Sequence, residues 1–206
     1  MPRQPPRIEY EGAIYPVMNR GDRREEIVRN DEDRESFIAT LGEACEKCGW
    51  EVHAWCLMEN HFHLVVETPN GNLVAGMKWF LGAYTIRFNR RHRVRGHLFA
   101  GRYKSLLVDD EEAQYLRTVC DYVYLNPVRA GLLKEGERME TYPWSSYGAY
   151  LKAPDQRQNW LRVDRVLGEH GIGGDNAQGR MEVGRRMEEL RVEGRDEAQN
   201  EEIRRG

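Results

Sequence analysis

His61-Phe62-His63 lies in the run Glu59-Asn60-His61-Phe62-His63-Leu64-Val65-Val66-Glu67. The residues after the second histidine are apolar and rich in β-branched side chains, so the run is expected to be a strand. Side chains alternate across a strand, which puts His61 and His63 on one face and turns Phe62 toward a core. Two imidazoles on one face can grip a single divalent ion and leave several coordination positions open, an arrangement suited to Lewis-acid chemistry on a phosphate. Histidine pairs on strands also occur without any ligand, so this reading depends on partners elsewhere in the chain.

Asp121-Tyr122-Val123-Tyr124-Leu125-Asn126-Pro127-Val128-Arg129 is the second chemically suggestive run. Tyr122 and Asn126 are four apart and share a helical face. A tyrosine hydroxyl near a metal-bound phosphate is a candidate nucleophile, and an asparagine one turn later could offer the same ion a carbonyl oxygen. The plainer readings are a core tyrosine with a wet hydroxyl and an asparagine that ends a helix before Pro127. Tyr124 is the competing nucleophile, but at two residues' separation it points about 200° around the helix from Tyr122.

Between residues 84 and 108 there is no acidic residue, whereas Arg87, Arg90, Arg91, Arg93, Arg95, Arg102 and Lys104 fall there with His92 and His97. Tyr84, Phe88, Phe99 and Tyr103 are interleaved. Basic side chains displace counterions from phosphates and aromatic rings can stack on unpaired bases. The stretch therefore favours a nucleic-acid surface in a chain whose net charge is −3. The aromatics taken singly read as core.

The elements that must position these groups follow from periodicity and breakers. Residues 13–18 read as a first strand, with Pro16 arguing for an edge position or a bulge. Phe37, Ile38, Leu41 and Cys45 recur at helical spacing over Asp31–Cys48, with Asp31 as expected N-cap. Residues 50–58 and His61–Thr68 form a hairpin about Glu59-Asn60, and residues 73–91 a long helix. Residues 102–108 read as a fourth strand and residues 110–125 as a helix stopped by Asn126-Pro127. Tyr142-Pro143-Trp144-Ser145-Ser146-Tyr147 begins a short helix. This order predicts an α+β fold, a mainly antiparallel sheet flanked by helices in a ferredoxin-like arrangement.

At 206 residues the chain is long enough for one compact domain with appendages. The expected division is a domain over residues 1–150, a short helical extension over 151–172 and a charged helical or disordered tail over 173–206, the last rich in Glu, Arg and Gly. Cys45-x-x-Cys48 has zinc-ligand spacing but no second pair, and its four-cysteine chain shows no disulfide framework. The Pro-rich start lacks the apolar run of a signal peptide and no run approaches membrane-spanning length, so a cytoplasmic, nucleoid-associated protein is expected.

These segments together resemble one family. His61-Phe62-His63 resembles the HUH (histidine-hydrophobic-histidine) motif. Tyr122-Val123-Tyr124-Leu125-Asn126-Pro127-Val128-Arg129-Ala130-Gly131 resembles the tyrosine-helix signature of the single-tyrosine transposases of the insertion-sequence type, the IS200-like family, and within it the REP-associated tyrosine transposases. Gly96-His97-Leu98-Phe99-Ala100-Gly101-Arg102-Tyr103-Lys104-Ser105 and Pro143-Trp144-Ser145-Ser146-Tyr147 resemble further segments of that family, in family order. Where many relatives carry a histidine in the first strand, this chain has Pro16.

The resemblance implies an HUH-nuclease fold and DNA transposition by nicking and strand transfer on single-stranded or hairpin DNA. Tyr122 would form a 5′-phosphotyrosine, and Mg²⁺ or Mn²⁺ would be held by His61 and His63 with Asn126 as third ligand. The arginines and lysine of the basic stretch would hold the DNA. A homodimer is among the arrangements the resemblance allows. Two other functions compete: a non-catalytic DNA-binding protein that keeps the fold, and a metal hydrolase of small phosphoesters. The basic stretch, which suits a polymeric anion, argues against the last.

Overall fold

The computed structural model describes residues 8–108 and 114–205, with side chains described to residue 193. The Pro-rich start and the expected beginning of a helix at residue 110 lie outside the described residues. The elements run β1 (Ala13–Arg20), α1 (Asp31–Cys48), β2 (Glu51–Leu57), β3 (His61–Thr68), α2 (Leu73–His92), β4 (Lys104–Ser105), α3 (Tyr115–Arg129), α4 (Tyr147–Tyr150), α5 (Asp164–Glu169) and α6 (Ala177–Arg205). The sheet order is β2-β3-β1-β4 and every pairing is antiparallel. Each β-α-β unit therefore encloses a strand of the other, the α+β ferredoxin-like arrangement expected.

Strand alternation sorts β3 onto two layers. Phe62 is 1% exposed, and its ring lies 5.2 Å from Phe37 of α1 and 6.0 Å from both Phe80 of α2 and Phe99. Burial of that face is what fixes the register, since a one-residue slip would expose Phe62 and bury the imidazoles. Phe62→Ala should cost about 3–5 kcal/mol, the range for a large aromatic removed from a packed core. Urea unfolding at constant slope would measure it, and a loss under about 1 kcal/mol would mean that Phe62 does not anchor this layer.

Several local expectations are corrected. The N-cap of α1 is Asn30, not Asp31: its side chain accepts from the Asp33 amide at 3.1 Å. Pro16 sits neither on an edge strand nor at a bulge, because β1 lies between β3 and β4. It is tolerated there because its carbonyl faces the β4 side, accepting from Leu106, so the missing N–H falls on the weakly paired side rather than in the β3 ladder. The fourth strand shrinks to two residues.

Pro127 does not stop α3 but lies inside it. A proline leaves the carbonyl four residues earlier without its donor, here Val123. The side-chain amide of Asn126 donates to that carbonyl at 3.2 Å and to Tyr122 O at 3.0 Å, which carries the helix through to Arg129. The run from Tyr142 is not yet helical. Its residues 144–146 lie along the outer edge of β2, where Leu57 N donates to Trp144 O and Ser146 N to Trp55 O, both at 2.9 Å. Residues 160–162 cover the other part of that edge, with Arg162 N to Val52 O at 2.8 Å. An otherwise open edge is thus blocked.

The extension and the first turns of the charged segment both anchor α3. Val183 and Met187 of α6 are 3% and 1% exposed. Glu169 accepts from the Arg117 amide at 2.7 Å, at the start of α3, and His170 Nε2 lies 3.2 Å from Asp121 Oδ1. The four cysteines are free. No helix among the described residues is long and apolar enough to cross a membrane.

Candidate active site on the histidine face of the sheet

His61 and His63 project from the sheet face opposite Phe62, with ring centroids 5.1 Å apart. α3 packs on that face and brings the Tyr122 ring to 5.9 Å from the His63 ring. Tyr122 is 49% exposed, so its hydroxyl end is open to a ligand. The two segments singled out by sequence thus meet within one chain, one on the sheet and one on the helix.

Burial holds both imidazoles in the form a metal needs. Desolvation lowers the pKa of His61, and desolvation together with the neighbouring His61 pushes His63 down to about 4. Both are therefore neutral at pH 7. The tautomer of His61 follows from its neighbour. Asn60 Nδ2 donates to Arg24 O at 3.3 Å, so Asn60 Oδ1 is the group 2.7 Å from His61 Nδ1. An amide oxygen only accepts; Nδ1 must carry the proton, and the Nε2 lone pair is left for a ligand. Sequence reading passed over Asn60 as a turn residue, although its place just before the first histidine was a usable signal.

Asn126 is half-buried one turn after Tyr122. Its NH₂ is spent on the Tyr122 and Val123 carbonyls, which leaves its Oδ1 as the acceptor still to be used. Among the described residues no group of three or more His, Cys, Asp or Glu side chains could hold a metal. Among the described residues the donor set is accordingly two imidazoles and at most one amide oxygen.

Tyr124 has a different environment. It is buried, its hydroxyl donates to His53 O at 3.0 Å, and burial raises its pKa well above that of an ordinary phenol. Arg129, at the end of α3, places its guanidinium 4.6 Å from the centroid of the Tyr122 ring.

The basic stretch separates into two groups. Arg87 bonds Thr40 Oγ1 and Glu43, each at 2.7 Å, and Arg91 pairs with Glu32 and, at 3.4 Å, with Asp33. His92 Nε2 also meets Asp33, at 2.8 Å. These groups fasten α2 to α1 along both its acidic first turn and its middle, a pairing that a count along residues 84–108 could not see. Arg90, Arg93, Arg95, Arg102 and Lys104 are exposed and have no ion-pair partner among the described residues. Lys104 lies on the histidine face: it is opposite Met18, which is itself opposite His63.

The chain is similar to several known proteins. A REP-associated tyrosine transposase of Haemophilus influenzae is 25% identical over 136 residues, covering 60% of this chain and 74% of the relative. A solved REP-associated tyrosine transposase bound to a REP hairpin superposes with a TM-score of 0.60 at 15% identity, covering 77% of this chain and 90% of that one. A Deinococcus radiodurans transposase structure gives a TM-score of 0.41 at 16% identity, over 59% of this chain and 98% of that one. The family described as IS200-like transposases matches residues 9–125, more than half of the chain. The chain belongs to the IS200-like transposase family, enzymes that process DNA in transposition.

Proposed function

We propose that this protein cuts and rejoins single-stranded DNA beside a hairpin by transesterification, with Tyr122 as nucleophile. The observation that carries this reading is the exposed Tyr122 ring 5.9 Å from His63, whose own ring is 5.1 Å from His61. In the first step the Tyr122 oxygen bonds to a backbone phosphorus and the bond from phosphorus to the 3′-oxygen breaks. The phenol proton leaves to solvent, and the departing oxygen takes up a proton to become a free 3′-hydroxyl. The phosphodiester energy is kept in a 5′-phosphotyrosine. In the second step a 3′-hydroxyl attacks that phosphorus and returns the tyrosine, so strands rejoin without a nucleotide cofactor.

The donor set suits an open metal site rather than a closed one. His61 Nε2 and His63 would hold Mg²⁺ or Mn²⁺, with Asn126 Oδ1 as third donor and the remaining positions left to water and DNA oxygens. When bound, the ion supplies charge neutralisation at a non-bridging phosphate oxygen. Two imidazoles favour Mn²⁺ over Mg²⁺, which prefers an all-oxygen shell. Asn60 keeps His61 in the metal-binding tautomer. Asn60→Ala should weaken Mn²⁺ binding about 10–100-fold, the usual effect of losing such a support. Electron paramagnetic resonance titration would read it, and an unchanged affinity would remove Asn60 from the account.

The exposed Arg90, Arg93, Arg95, Arg102 and Lys104 hold the DNA backbone, whereas Arg87 and Arg91 keep α1 and α2 together. Metal removal tests the whole reading. The protein, incubated with a 3′-labelled hairpin oligonucleotide from the flanks of its own gene, should yield a protein-linked band with Mn²⁺ and none with EDTA. DNA binding without such a band, on several flanking substrates, would instead support a non-catalytic binder.

A further inference from the structure

The proposed reaction requires a polyanion to sit between two imidazoles and a phenol, and the basic stretch places only Lys104 on that face by strand register. Two more cations, outside that stretch, are brought to the same place. Arg20 ends β1 and is paired directly with His61. Residues directly opposite in an antiparallel ladder project to one face with Cβ atoms about 4.5–5.5 Å apart. Arg20 therefore rises beside His61, as Lys104 rises beyond Met18 from His63. Arg129 comes from the third side, stacked on the Tyr122 ring at 4.6 Å.

All three are exposed, and none has an ion-pair partner among the described residues. Arg87 and Arg91, by contrast, are neutralised by α1. An arginine on a surface aromatic ring is by itself ordinary. What is not ordinary is that cations from β1, β4 and α3 share the face of one open tyrosine-histidine site. A guanidinium is also the side chain best shaped to take two oxygens of one phosphate.

We propose that Arg20, Lys104 and Arg129 form a phosphate cradle around His61, His63 and Tyr122. Arg129 holds the phosphodiester that Tyr122 attacks, Arg20 holds the next phosphate along the strand, and Lys104 closes the β4 side. The ligand is single-stranded DNA backbone, read as charge without base preference. This assignment rests on the tyrosine-nuclease reading above.

The test compares wild type with R20Q, R129M and R129K, using a 3′-labelled hairpin oligonucleotide with a single-stranded flank and Mn²⁺. R20Q should raise the half-saturating DNA concentration about tenfold, as expected for one lost charge-assisted contact, and leave the rate of adduct formation at saturation within about twofold. R129M should lower that saturated rate by about tenfold or more, with partial recovery in R129K. An uncharged methylphosphonate at the phosphate next to the scissile one should weaken wild type to the R20Q level and leave R20Q unchanged. A merely structural arginine would show no such dependence on the DNA modification.

R20Q and R129M with wild-type rates and half-saturation would overturn the cradle. Should wild type itself form no adduct, the tyrosine-nuclease reading fails separately. Fluorescence anisotropy on the same oligonucleotides then still decides the cradle: R20Q/R129M should bind at least about tenfold more weakly, and equal affinity would overturn it.

Discussion

Tyr122→Phe is expected to abolish the covalent protein–DNA adduct, a loss on the order of 10⁴-fold or more, the scale on which enzymes respond to removal of a covalent nucleophile. DNA affinity should stay within about threefold, since the basic surface is untouched. The substitution removes one oxygen from a ring that is 49% exposed, and that hydroxyl has no hydrogen-bond partner among the described residues. Stability should therefore change by less than about 0.5 kcal/mol, as at ordinary surface positions. Tyr124→Phe is the matched control. It deletes a buried hydroxyl, but His53 O keeps a second donor in Tyr150 at 2.7 Å. It should retain adduct formation and lose about 1 kcal/mol of stability. Denaturing electrophoresis with anisotropy binding separates the outcomes; an adduct surviving in Tyr122→Phe would end the nucleophile assignment.

His63→Ala should be the next most damaging change. It halves the imidazole set and opens the face against which the Tyr122 ring lies, so adduct formation should fall by about 10³-fold, the scale of several kcal/mol of lost charge stabilisation. Added Mn²⁺ at high concentration should restore part of it, whereas it should not rescue Tyr122→Phe. The protonation of His63 gives an independent check in the metal-free protein. Burial and His61 hold its pKa near 4, against an ordinary 6.5, so the folded protein resists its protonation. Because the folded value is the lower one, the contribution of His63 to stability is complete above about pH 6.5 and declines as pH falls toward 4. An NMR titration of its ring protons should give a midpoint near 4; a midpoint near 6.5 would mean a solvated imidazole.

The parts of this architecture set by local pattern were legible in the sequence, and those set by distant partners were not. β3 spans His61–Thr68 as alternation required, with Phe62 inward and the histidines outward. α1 and α2 follow their apolar stripes. The structure brings the rings of His61, His63 and Tyr122 onto one face. Pro127 misled because a helix breaker was weighed without the side chain before it: Asn126 supplies the donor that the proline lacks. The basic stretch misled in part, because the acids that neutralise Arg87 and Arg91 lie some 45 to 60 residues earlier, on α1. Arg20 read as part of a turn after a strand over residues 13–18, whereas it ends β1; its significance is a cross-strand register with His61, which no reading along one strand contains. The tail left helix and disorder both open because its anchor to α3 uses few apolar side chains, Val183 and Met187 among them.

The proposed chemistry turns on the phenol of Tyr122 becoming bonded to DNA. Trypsin cutting after Arg117 and Arg129 leaves both Tyr122 and Tyr124 on one peptide. The most direct measurement is to react wild-type protein with hairpin DNA and Mn²⁺, digest protein and nucleic acid, and locate the nucleotide remnant by fragmentation mass spectrometry. The expected product is a 5′-linked nucleotide on Tyr122. A remnant on Tyr124 or any other residue, or cleaved DNA with no protein-linked nucleotide at all, would contradict it.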